Sequence, residues 1–150
     1  MCVRTDKEVI TMQFAESTSL ELKHQVVDDI CKTVIAFANA EGGTIYIGVD
    51  DDGSIVGVED TDGEMLRLSN MIRDAVKPDV TMFVSYSYEE EQGKKIIVVT
   101  VQKGTECPYY LGSKGLRPEG VFVRQGASSV PATENAIRRM IKETDGDNFE

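Results

Sequence analysis

Between Glu16 and Val58 the chain reads ESTSLELKHQVVDDICKTVIAFANAEGGTIYIGVDDDGSIVGV, and the apolar period switches from two to helical and back to two. Leu20 to Lys23 alternates as a half-buried strand does, whereas Val27, Ile30, Cys31, Val34, Phe37 and Ala38 recur at helical spacing and predict an amphipathic helix. Gly42-Gly43 caps that helix. The alternation that follows puts Ile45, Ile47 and Val49 on one face of a second strand. Asp52-Gly53 then predicts a hairpin turn before Ile55 to Val58. A helix held between two strands so close in sequence is a crossover, and the rest of the chain must pack around it.

Downstream, Thr61-Asp-Gly-Glu64 has the form of a capping box and opens a helix through Met65, Leu68, Met71, Ile72, Ala75 and Val76. Lys77-Pro78 stops it. Two strands, Val80 to Tyr88 and Lys95 to Gln102, are joined by the polar turn Glu89 to Gly93. Apolar residues on both faces from Ile96 to Val101 make the second of these a central strand. Pro108 to Leu111 reads as a short extended piece, 112–120 as a loop, and Val121 to Arg124 as a last strand broken by Gly126-Ala-Ser-Ser. Thr133 caps a final helix through Ile137, Met140 and Ile141. The pattern predicts an α+β fold with a mixed, largely antiparallel sheet and about three packed helices, in one domain over 1–150. Residues 1–10 and 145–150 are expected to fray.

A chain of 150 residues, 41% hydrophobic, buries roughly two-thirds of its unfolded surface without metal or disulfide staples. Its cysteines, Cys2, Cys31 and Cys107, are odd in number and lack zinc-ligand spacing, which fits a reducing, cytoplasmic setting. No apolar run is long enough for a membrane span or a signal h-region, so a soluble protein is expected. The net charge of −10 opposes polyanion binding by the surface as a whole. Lys114, Arg117, Arg124, Arg138, Arg139 and Lys142 nonetheless form a late basic surplus.

The glycines do not make a nucleotide site. No Lys-Ser/Thr follows them and no helix starts there, so a P-loop, and with it ATP, is unsupported. Aligning Gly53 with the sixth position of an EF-hand loop puts Gly48 at the first ligand, which excludes calcium binding of that kind. Glu16, Glu21 and Asp51 are candidate ligands for Mg2+ or Mn2+, with Lys23 beside them as a phosphate anchor. Five residues separate Glu16 from Glu21, so only a bend at Ser17-Thr18-Ser19 makes them converge. Arg124 with Gly126, Ser128 and Ser129 reads either as a phosphate-binding turn feeding the last helix or as a plain connection. Arg138, Arg139 and Lys142 either contact a nucleic-acid backbone or complement the helix dipole. Tyr109 and Tyr110 stack on bases or pack, and His24 is assigned no role.

The segments ESTSLELK, KTVIAFANAEGGTIYIGVDDDGSIVGV, PYYL and VFVRQGASSVPAT together resemble the Schlafen-type AlbA-like domain. That resemblance implies a nucleic-acid-binding module, DNA or RNA, at the N-terminus of a transcriptional regulator. It also implies an alternative, because Schlafen proteins carry an RNA-cleaving core with three metal-binding acidic residues, matched here by Glu16, Glu21 and Asp51. That core has two lobes and a zinc site. This chain has one lobe and no zinc ligands, and a homodimer is the arrangement that restores the second lobe. A protein-interaction or dimerisation module is the third reading, suited to the acidic charge.

Overall fold

A computed structural model describes residues 15–148. Strand β1 (Leu20–Lys23), helix α1 (Ile30–Ala38) and strand β2 (Gly43–Ile47) form the expected crossover, with β1 and β2 parallel. Helix α2 (Thr61–Ala75) and the short strand β3 (Val76–Lys77) lead to β4 (Val84–Glu91) and β5 (Lys94–Val101). Strands β6 (Tyr110–Leu111), β7 (Phe122–Gln125) and β8 (Ser128–Pro131) precede helix α3 (Glu134–Asn148). The main sheet has the order β1-β2-β5-β4, antiparallel except at β1–β2, and β3–β6 and β7–β8 are separate antiparallel pairs. The fold is α+β with three helices on a mixed, largely antiparallel sheet. Strand β5 is central, and Ile96 to Val99 are all buried, as apolar residues on both of its faces require.

Helix α1 is buried on nearly every side, with Lys32 its one exposed residue. The sequence pattern predicts an amphipathic helix. The extra burial arises because α1 lies between the main sheet and the β7–β8 ribbon, so both of its faces need apolar residues. Ile45, Ile47, Ile97, Val99 and Val101 meet it from the sheet, with Leu68 and Ile72 of α2 completing the core. The opposite sheet face carries a smaller cluster of Leu22, Val49, Ile55 and Ile96.

Local side-chain chemistry moved several element boundaries. Asp60, one residue before the expected cap, accepts the Gly63 N–H and starts α2. Asp79 accepts both the Thr81 N–H and its hydroxyl, turning 81–83 into a 3-10 helix and delaying the strand to Val84. The Asp52-Gly53 turn forms, but Val49 and Ile55 make a single bridge and no strand follows. Gly126 does not end the strand pairing; it lies in the turn between β7 and β8. Thr133 caps α3 through the Ala136 N–H, and the helix runs to Asn148. The expectation for residues 1–10 lies outside the described residues. Among the described residues no helix is long and apolar enough to cross a membrane.

Candidate functional site

The carboxylate centre begins with a turn. Ser17 N–H donates to the Leu20 carbonyl at 2.9 Å and Leu20 N–H returns to Ser17 at 3.5 Å, which supplies the bend that brings Glu16 back beside β1. Glu16 stands near the Glu21 carboxylate and the Leu22 backbone N–H. Partial burial, then the neighbouring charge of Glu21, pushes the Glu16 carboxyl above its ordinary value, with Asp51 adding a weaker repulsion. Asp51 sits exposed in the 50–53 turn.

Glu21 pairs in register with Ile45, which pairs with Val99, so its side chain lies on the α1 side of the sheet. A carboxylate placed there needs a cation. Arg124 of β7 provides it, with Nη1 2.9 Å from Glu21 Oε1 and side-chain exposures of 2% and 11%. The remaining donors of Arg124 reach the Ser129 hydroxyl at 3.0 Å, the Leu20 carbonyl at 3.2 Å, and the Ser17 carbonyl at 2.7 Å and 3.3 Å. All five guanidinium N–H groups are therefore used. The guanidinium also lies over the Phe37 ring, 4.9 Å from its centroid. Lys23 Nζ faces Glu21 Oε2 at 3.7 Å and Asp29 at 3.2 Å, on the same side as Glu21, as the strand alternation predicted.

The same region explains the Ala-Phe-Ala-Asn-x-x-Gly-Gly segment. Asn39 donates to the Tyr109 and Phe122 carbonyls at 3.1 Å and 3.0 Å and accepts the Tyr109 N–H at 2.7 Å. It ties the end of α1 to the 107–109 loop and to β7. Gly43 leaves space for Phe37, whose ring would stand 2.7 Å from a Cβ at that position. The sequence signal for Asn39 was a polar residue closing an otherwise apolar helix, and its role was missed.

Other candidates separate. Ser128 and Ser129 lie in β8, and Ser129 serves Arg124, whose side chain is buried with its donors engaged inside the protein; of the two readings open for Arg124, Gly126, Ser128 and Ser129, this arrangement favours the plain connection. Arg138 and Arg139 stand exposed on α3, Arg138 pairing with Glu134 at 3.4 Å. Arg117 and Arg138 line one cleft of about 290 Å3 with Leu116, Pro118, Ile137 and Ile141. Tyr109 is fully buried and packs in the core. His24 Nδ1 lies 2.6 Å from Asp50 Oδ1, a pairing the sequence did not signal. Burial pushes the Cys31 thiol up to about 11 and raises that of Cys107, which leaves neither poised as a nucleophile.

Among the described residues, no three His, Cys, Asp or Glu side chains are close enough together to hold a metal ion. Both oxygens of Glu21 already face cations. As arranged, Glu16, Glu21 and Asp51 do not fit a Mg2+ or Mn2+ centre.

The model of the family described as "Schlafen, AlbA_2" matches residues 9–133. The chain belongs to that family. The Schlafen AlbA_2 match takes in β1 through Pro131, including every residue of the Arg124–Glu21 cluster. Two solved structures resemble this AlbA_2 domain. The DIP2311 protein of Corynebacterium diphtheriae superposes with a TM-score of 0.59 at 20% identity, covering 77% of this chain and 22% of that one. The N-terminal domain of a Nitrosomonas europaea protein, named as related to the ATP-dependent DNA helicase RecG, gives a TM-score of 0.53 at 25% identity, covering 77% and 78%. No curated protein matches the chain. This AlbA_2 chain thus spans about a fifth of the Corynebacterium protein and most of the Nitrosomonas domain.

Proposed function

We propose that this AlbA_2 domain is a nucleic-acid-binding module of a larger transcriptional regulator, gripping the phosphate backbone through α3 and the loop before β7. The observation that carries the reading is the disposition of its cations. Lys114, Arg117, Arg139 and Lys142 are exposed and form no ion pair with another described residue, while Arg117 lines one cleft with Arg138 and its partner Glu134. In a chain of net charge −10, cations left without an acidic partner are the groups free to meet a phosphate backbone, although α3 also carries Glu134, Glu143, Asp145 and Asp147 and is not basic as a whole. The family match and the RecG-related neighbour support the same direction.

Metal-dependent RNA cleavage by Glu16, Glu21, Asp51 and Lys23 has less support, because the central carboxylate is already served by Arg124. A homodimer belongs to the proposal, since two copies double the cations offered to one duplex; a strictly monomeric sedimentation profile with and without DNA contradicts that part. Fluorescence anisotropy with a labelled duplex and a hairpin RNA tests the whole. Binding at low salt that weakens as salt rises is expected, and no binding of either probe at low salt overturns the proposal for this chain.

A further inference from the structure

We propose that the Arg124 guanidinium occupies the cation position of the carboxylate centre, so that Glu21 is held by an internal cation in place of a divalent ion and Glu16 is carried beside it on the turn that Arg124 braces. The strand register leaves Glu21 on the core side of the sheet, where an uncompensated carboxylate is costly. Arg124 meets that need at 2.9 Å, and its other donors hold the Ser17 and Leu20 carbonyls, which shape the turn carrying Glu16. One side chain thus neutralises Glu21 and builds the bend that delivers Glu16. A divalent ion bound to Glu21 Oε1 would stand against a guanidinium at contact distance, with Lys23 on the other oxygen. Phe37 beneath the guanidinium and Ser129 beside it hold Arg124 in place. The centre is a clamp joining β7 to β1 across the end of α1, 103 residues apart in sequence.

The inference stands apart from nucleic-acid binding and is read by stability and by manganese alone. Wild-type protein is expected to show the same Tm in MnCl2 as in EDTA and no protein-bound manganese signal by electron paramagnetic resonance. Arg124→Gln is expected to lose on the order of 10 °C in EDTA and to recover part of it in MnCl2. Adding Glu21→Gln to that variant is expected to abolish the recovery. Should Arg124→Gln fail to fold, Arg124→Lys keeps the charge without the fork and is expected to melt below wild type with no manganese response. A wild-type Tm that rises with MnCl2 and stops rising in Glu21→Gln overturns the proposal. So does a folded Arg124→Gln that is indifferent to manganese.

Discussion

Replacing Asn39 by alanine removes three hydrogen bonds at once and leaves the Tyr109 N–H, the Tyr109 carbonyl and the Phe122 carbonyl without their partner. Tyr109 and Phe122 are both buried, so each orphaned backbone group costs about 1–3 kcal/mol if nothing replaces the amide. Asn39 also lines a cleft of about 420 Å3, which lets water reach part of the vacated site and places each cost near the lower end. The sum is about 3 kcal/mol, or about 6–12 °C in Tm for a domain of this size. Urea unfolding followed by far-ultraviolet circular dichroism measures it, with the midpoint falling and the m-value unchanged. Asn39→Asp sharpens the test. It keeps the acceptor for the Tyr109 N–H but turns a carboxylate on two carbonyls, so it should lose at least as much at neutral pH. A loss below about 1 kcal/mol in Asn39→Ala, or an aspartate better tolerated than alanine, would refute the claim that the amide staples α1 to β7.

Gly43→Ala forces the Phe37 ring to move and should cost about 1–3 kcal/mol, whereas Gly126→Ala, with φ +59 and nothing within 4 Å, meets only backbone strain of about 1 kcal/mol; equal urea midpoints for the two variants would contradict the packing argument. Because the folded-state pKa of Glu16 lies above its ordinary 4.5, the native state holds that proton more tightly than the unfolded chain. The contribution is present at acid pH and fades as pH rises through the raised value, so Glu16→Gln should flatten the fall in urea midpoint above pH 4.5 and gain on wild type at pH 7. Parallel pH profiles would show that Glu16 carries no such strain. Asp60→Ala should cost about 1 kcal/mol through loss of the α2 cap, read as a lower Tm; an unchanged Tm would return the cap to Thr61.

Much of the architecture was legible because local periodicity and burial agree. The alternation at Leu20 to Lys23 and at Thr44 to Ile47, the apolar face of α1, and the double-sided run from Ile96 to Val101 each fix an element and its neighbours, whereas Val49, expected on the face of Ile45 and Ile47, packs in the opposite cluster once β2 has ended at Ile47. Boundaries were lost where one side chain competes with the backbone, as Asp79 does ahead of β4 and Asp60 ahead of α2. The candidate site was legible only in part. The Ser17 to Ser19 bend was required by the spacing of Glu16 and Glu21, and it forms. Arg124 read as a surface cation in a glycine- and serine-rich stretch, because nothing local says that β7 packs over α1 and aims its guanidinium at a strand 103 residues earlier. Asn39 and Tyr109 are likewise 70 residues apart, and their hydrogen bonds exist only once the fold has closed.

Nucleic-acid binding along α3 through its exposed arginines, as proposed, has a signature in the salt dependence of affinity. The slope of log affinity against log salt for a short DNA duplex measures it most directly, since each phosphate contact contributes about 0.9 to that slope. Relative to wild type, Arg138→Ala/Arg139→Ala is expected to bind more weakly at every salt concentration and to lose about 1.8 from the slope, with its Tm unchanged because both side chains are exposed. An unchanged slope and affinity in that variant would contradict the account.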